Sequence, residues 1–414
     1  MRTDEVDAML PSRESGLRKL EAFLLHAGVD YAQGRNNVPG VVSGLSPYVR
    51  HRLITESEIV SAVLKEHSWA HAEKFIQEVC WRTYWKGWLE MRPQVWVSYE
   101  EDLRSLRKGM VEGSDLRCRV QAAEGGETGL ECFDDWVREL RKTGYLHNHV
   151  RMWFASIWIH TLRLPWQLGA DFFMRHLLDG DPASNTLSWR WVCGLQTKGK
   201  VYAASAENIE RFTNGRYAPY GLLATEAPLI PEEAPISGPL PLTRCDTHVP
   251  GEKTILLVTD EDLTPETWGI PTADVNGVIL VETAEVAGES SSGVSSKVTT
   301  FKRKALESTQ ARLEALGCSP VTLLGGTMES LQEKVSALLQ THHDGEKVTL
   351  TMMGVTVGAT RWIIDPLLAF LGQEGVTVRR LRRGWDEELW PHATHGFFRF
   401  KAQIPTVLRR FAQE

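Results

Sequence analysis

The sequence predicts an α + α/β protein with a helical domain over 1–220, a proline-rich linker over 221–252 and a doubly wound, Rossmann-like parallel sheet over 253–414. Three observations carry this. Apolar residues recur at helical spacing up to residue 220, and eleven of the fifteen tryptophans fall before residue 192. Between Gly221 and Glu252 prolines are dense and hydrophobic periodicity is lost, which marks an extended connection. Beyond it, short β-branched runs alternate with helical patterns, and alternation at that spacing implies parallel strands joined by right-handed crossovers.

The elements follow in order. ESGLRKLEAFLLHAGVDYA places Leu17, Leu20, Phe23 and Leu24 on one side of a helix. Gly34 to Gly44 reads as a loop, and Ser46-Pro47 as a helix start. Hydroxyls and backbone N–H groups beside a helix start suit a phosphate group. From Lys74 to Trp96 a helix carries Glu78, Trp81 and Arg82 on one face; Glu78 and Arg82 are equally readable as a surface ion pair. Residues 97–130 read as a charged surface connection with a short helix. The runs ILLVTDED, VNGVILVE, PVTLLGG, KVTLTMMGV and VTVRRLRR supply the strands, with helices over FKRKALESTQARLEALG and MESLQEKVSALLQTHH.

The most informative stretch is His147–Trp191. Asn148, Arg151 and Met152 lie three or four residues apart and share a helical face. Asp181-Pro182 reads as an N-cap with proline at the first helical position. Asn185 and Trp189 then follow at steps of four, which aligns an acid, an amide and an indole. Such a stripe suits a flat, heteroatom-rich ligand. Taken alone, it is also readable as a buried helix with a satisfied Asn and a core Trp.

Composition narrows the function classes. A net charge of −7 argues against attraction of the whole molecule to nucleic acid and leaves a local basic patch. Lys198, Lys200, Arg211 and Arg216, with Arg138, Arg141, Lys142 and Arg190, are candidates for it; a solvated basic face is the alternative. The six cysteines lack paired spacing, and no apolar run of membrane-spanning length occurs, so a reduced, cytoplasmic protein without a membrane role is expected. No GxGxxG or GxxxxGK[ST] marks the sheet domain.

HN-x-x-RM followed by DGD-x-x-x-N-x-x-x-W-x-W resembles the flavin-binding catalytic domain of the DNA photolyase/cryptochrome family. The resemblance implies FAD as cofactor and assigns roles by position. Tyr31, Ser43, Gly44, Leu45 and Ser46 would hold the diphosphate, with Val42 replacing a usual Thr. Gln77, Arg82, Arg151, Asp179, Asp181 and Asn185 would contact the flavin or order its loop, Arg151 by pairing with Asp179. Phe75 stands where the family usually has Trp. Arg35, Glu78, Trp81, Asn148, His149, Met152 and Trp191 would face DNA, with His149 replacing a common arginine. Trp189 and Trp166 would be the first two electron relays, and no tryptophan between Trp96 and Trp136 offers the third. The sheet domain resembles the family's antenna domain, with WDEELWPHATHGFFRF like its exit segment, so the resemblance covers the chain as a circular permutation. No residue specifies an antenna pigment.

The implied function is light-dependent repair: a monomeric deoxyribodipyrimidine photolyase in which photoexcited reduced FAD splits cyclobutane pyrimidine dimers in DNA by electron transfer. Glu78, Asn148, Asn185, Trp189 and Trp166 would carry the reaction. The alternative is a cryptochrome-like blue-light photoreceptor that signals to a protein partner.

Overall fold

The computed structural model describes residues 9–197, 200–227, 236–287, 293–318, 320–341 and 349–411. Lys198 and part of the proline-rich stretch lie outside them. Helices occupy the first part of the chain, from Arg13–Leu24 to Ala206–Phe212. A five-stranded parallel sheet follows, formed by β1 (Thr254–Thr259), β2 (Val275–Val281), β3 (Val321–Leu324), β4 (Thr349–Met353) and β5 (Thr377–Leu381). Its order, β3-β2-β1-β4-β5, is that of a doubly wound fold. All five β-branched runs became strands. β1 is buried along its whole length, which its continuous apolar pattern requires.

Three elements differ from expectation. In the Arg13–Leu24 helix the buried stripe is Gly16, Leu20 and Phe23, whereas Leu17 is 39% exposed. Gly16 turns the helix: a Cβ there would lie 3.0 Å from the Tyr48 ring, so that face packs closest. The expected helix to Trp96 stops instead at Glu90, because Pro93 disfavours helical geometry in the residue before it. The charged stretch after it forms two helices, Gln94–Gly109 and Asp115–Gly125. Val95, Trp96, Tyr99 and Leu103 are buried at i, i+4 spacing beneath the charged face.

The last segment, Gly384–Phe411, lies against the helical part rather than against the sheet with which its sequence position grouped it. Trp385 Nε1 donates to Thr83 Oγ1 at 2.9 Å, and Tyr84 Oη donates to the His395 carbonyl at 2.8 Å. Arg92 donates to the Thr394 carbonyl at 2.8 Å. Gly87 admits Trp390, whose ring would stand 2.8 Å from a Cβ at that position.

The strand order reverses between β1 and β4, and the ends of these strands face the helical part. There the fold spends charge on docking. Immediately after β1, Glu261 and Asp262 meet Arg50, Arg52 and Arg383 (Arg50–Glu261 at 3.4 Å, Arg52–Asp262 at 3.4 Å and Arg383–Asp262 at 2.5 Å), while Asp260 faces His51 at 3.7 Å and Lys302 at 3.9 Å. Arg52 also pairs with Asp386 at 2.6 Å. Because these groups are buried, losing one partner would strand a charge at a cost of about 3–5 kcal/mol.

Candidate flavin site

Four segments converge. Asp181 caps the Pro182–Val192 helix by accepting from Ser184 N at 2.8 Å, as its position before proline requires. Its other oxygen lies 3.1 Å from Arg82 Nη2, 3.9 Å from Lys86 Nζ and 4.0 Å from Arg50 Nε. Arg82 and Lys86 stand one turn apart on the Trp69–Glu90 helix. Arg50 ends the short Ser46–Arg50 helix and donates to the Gly180 carbonyl at 2.7 Å, tying that helix to the Asp-Gly-Asp loop. Arg151, on the Asn148–Ser156 helix, holds Asp179 at 2.9 Å.

Burial alone would raise the Asp181 carboxyl, but Arg82, Lys86, Arg50 and the Ser184 N–H outweigh it and hold the group well below its ordinary range. It is therefore an anion at neutral pH. Burial pushes the Lys86 ammonium down, against the pull of Asp181. Arg50, Lys86 and Glu56, the last 3.3 Å from Arg52 and paired also with Arg82, were not among the expected site residues. The basic run YVRHR after the loop, and Lys86 four residues beyond Arg82, were the available signals.

Several polar atoms here are buried with no hydrogen-bond partner among the described residues: Asp179 Oδ1, Trp189 Nε1 and Ser184 Oγ; Arg82 Nε makes no hydrogen bond either but is ion-paired with Glu56 Oε1 at 3.6 Å. An unmade bond of this kind costs about 1–3 kcal/mol, so a ligand bearing both donors and acceptors would be held here. This donor and acceptor set fits the polar edge of a flavin. Asn185 is buried and its Nδ2 donates to the Ala170 carbonyl at 2.8 Å, joining the two helices beside the loop.

The remaining expected residues fall as follows. Tyr31 is buried edge-on to Phe75, with ring centroids 5.1 Å apart, so Phe75 fills its position as core. Ser43 Oγ accepts from Leu45 N at 3.3 Å across Gly44, whose φ of 62° lies in the left-handed region. Leu45 is buried, and Ser46 opens its helix. Val42 is half-buried. Gln77 is buried and donates to Glu73 at 2.7 Å.

On the expected DNA side, Arg35 Nη1 donates to Glu78 Oε1, so each already neutralises the other. His149 accepts or donates at the Asn36 carbonyl, 2.9 Å away, and stacks on Trp153 at 4.2 Å. Asn148 is exposed and Met152 half-buried. Trp81 is stacked on Phe397, centroids 3.6 Å apart and planes 10° from parallel, with Trp85 tilted at 5.1 Å. Trp191 stacks on Tyr202 at 5.4 Å. Arg190 departs from the expected basic rim: it is buried, its guanidinium 5.9 Å over the Trp166 ring, because its helix turns that side inward. Arg138 and Arg216 are both engaged by Asp135, at 2.6 and 3.5 Å.

Trp189 and Trp166 are buried on adjacent helices without ring contact. The Trp189 ring lies against Gly169, one turn along the helix that Trp166 opens, and a Cβ there would stand 2.3 Å from it. Trp153, Trp158 and Trp136 are core residues.

Residues 75–216 match the FAD binding domain of DNA photolyase. The deoxyribodipyrimidine photo-lyase of Streptomyces griseus is 31% identical over 186 residues, which is 44% of this chain and 39% of that protein. That of Thermus thermophilus is 31% identical over 46% of this chain and 45% of that protein. A bacterial class III photolyase from Agrobacterium tumefaciens is similar in structure, with a TM-score of 0.44 and 26% identity over 50% of this chain and 44% of that one. The chain spans less than half the length of each of these relatives. No helix among the described residues is long and apolar enough to cross a membrane. Over residues 75–216 the helical part is thus similar to the FAD binding domain of DNA photolyase.

Proposed function

We propose that the protein is a light-dependent DNA photolyase that binds FAD and splits cyclobutane pyrimidine dimers. One observation carries this reading: Arg82–Asp181 and Arg151–Asp179 converge, with partnerless buried polar atoms beside them, inside the segment matched to the photolyase FAD domain. When bound, the reduced flavin supplies the photoexcited electron. Arg82 and Asp181 orient its polar edge, and the Arg151–Asp179 pair fixes the loop that carries them. Asn185 sits one turn past the cap, as a neutral amide toward the ring. A dimer flipped from the duplex, at a cost of a few kcal/mol, meets aromatic walls at Trp81 and Trp191. Glu78 and Asn148 hydrogen-bond the pyrimidine edges, Glu78 after exchanging its Arg35 partner for substrate. The surrounding apolar helices keep water out and strengthen these contacts.

The sheet part is read as the counterpart of an antenna domain placed after the flavin part, a permuted order; a second chromophore is left unassigned. All six cysteines are free, which supports a reducing, cytoplasmic setting, and a monomer suffices for the site. A cryptochrome-like photoreceptor is the second reading. The Phe397 ring stacked on Trp81 favours it, since that face of the indole is already taken. Reduced, flavin-loaded protein mixed with dimer-containing DNA in light and in darkness decides between them. Loss of dimers in light alone is expected; no repair in light, with flavin bound and reduced, leaves the photoreceptor.

A further inference from the structure

We infer that Tyr99 is the relay residue that delivers an electron to Trp166, in the role of a third relay for which no tryptophan lies between Trp96 and Trp136. The inference rests on the flavin reading above. Among the described residues, the ring stacked on Trp166 is that of Tyr99, with centroids 5.5 Å apart and planes 27° from parallel. Tyr99 is buried on the Gln94–Gly109 helix, which packs its apolar stripe against the helix opened by Trp166. Trp96 lies beyond it, 5.2 Å from the Tyr99 ring. Trp189, against Gly169, stands on the helix that Asp181 caps and that carries Asn185. The order Trp189, Trp166, Tyr99 therefore crosses three packed helices.

The chemistry distinguishes Tyr99 from its neighbour. Oxidised tyrosine is stabilised when its phenolic proton leaves with the electron, so a proton acceptor must be near. The carboxylates of Asp171 and Glu100 are the acids whose charges act on the Tyr99 phenol. Asp171 is gripped by Arg107 and Arg175, both at 2.8 Å, whereas burial and the Asp171 charge raise the proton affinity of Glu100. Trp96 has no such base: its indole N–H is buried with no partner among the described residues. The step balances as follows. Bound FAD, oxidised and photoexcited, would supply the electron hole; Trp189 would give up one electron, Trp166 would refill Trp189, and Tyr99 would refill Trp166. Tyr99 Oη loses its proton to the carboxylate pair and becomes a neutral radical, which an added thiol reduces.

Flash photolysis of the full-length, flavin-bearing protein in its oxidised state tests this, comparing wild type with Tyr99→Phe and Tyr99→Trp. In wild type a tyrosyl radical spectrum is expected to outlive the tryptophanyl signal. Tyr99→Phe keeps the ring but loses the proton, so charge recombination should quicken and steady photoreduction slow, each by about tenfold or more, at unchanged flavin content. Tyr99→Trp should restore electron delivery with a tryptophanyl signal in place of the tyrosyl one. Wild-type photoreduction and radical lifetime in Tyr99→Phe would overturn the inference, as would absence of any tyrosyl signal in wild type. A protein that photoreduces through Tyr99 yet repairs nothing would support the inference and remove only the repair reading.

Discussion

Asp181 Oδ2 lies 3.1 Å from Arg82 Nη2, with Lys86 and Arg50 within 4.0 Å on its other sides. One buried carboxylate thus holds together the flavin-side helix, the loop before it and the cap of the Pro182–Val192 helix. Replacing it with asparagine keeps an N-cap acceptor and removes the charge alone. Asp181→Asn is expected to cost about 3–5 kcal/mol in urea unfolding and to lower flavin retention, because buried Lys86 loses its ion-pair partner while Arg82 and Arg50 are left with Glu56 and Glu261 alone. A change within about 1 kcal/mol would mean that the cluster is wet and screened.

Gly169 is where the Trp189 ring comes closest to its neighbouring helix. A methyl group there would meet Trp189 at 2.3 Å and Trp158 Nε1 at 2.9 Å, and neither buried indole has room to swing. Gly169→Ala is expected to destabilise by about 1–3 kcal/mol through overpacking, read as a lower Tm and an altered tryptophan emission.

The Phe397–Trp81 stack anchors the final helices to the helical part. Phe397 is buried, so Phe397→Ala is expected to cost about 3–5 kcal/mol and to increase quenching of tryptophan fluorescence by acrylamide. If DNA binding also tightens, Phe397 competes with a base for Trp81; unchanged binding would place the base on another face.

Much of this arrangement was legible in the sequence. Asp181-Pro182 announced a helix start, and each β-branched run became a strand, the central β1 buried throughout as its continuous apolar run requires and the edge strand β5 half-exposed with its two arginines. The Arg151–Asp179 pair was implied by the family resemblance. The rest depends on contacts distant along the chain. Arg50 meets Gly180 and Glu261, and Arg52 meets Asp386, pairings for which local periodicity carries no signal. Tyr99 was hidden because its helix is charged on the outside, which masked the buried stripe through Val95 and Leu103.

Acid should loosen the fold through its buried histidines. Burial holds His51, His147 and His176 at a pKa of about 4, assisted by Arg50, His149 and Arg175 respectively. In the unfolded chain each returns to an ordinary value of about 6.5. Between these values the unfolded chain binds more protons, so stability is full above about pH 6.5 and falls as pH drops toward about 4. Urea unfolding at stepped pH should show this decline; a flat profile from pH 7 to 5 would contradict it.

Glu78 separates chemistry from affinity in the repair reading. Removing its carboxylate also frees Arg35 to meet a phosphate, so binding should not weaken. Glu78→Ala is expected to slow repair about tenfold or more while leaving the Kd for dimer-containing DNA nearly unchanged. Equal losses in both would assign Glu78 to binding alone.

The absorption spectrum of the purified full-length protein, before and after illumination with a thiol reductant, reaches the central claim most directly. If Arg82, Asp179, Asp181 and Asn185 enclose an isoalloxazine, the protein is yellow as isolated and its flavin bands bleach in blue light. A protein that stays colourless after purification in the presence of FAD would contradict it.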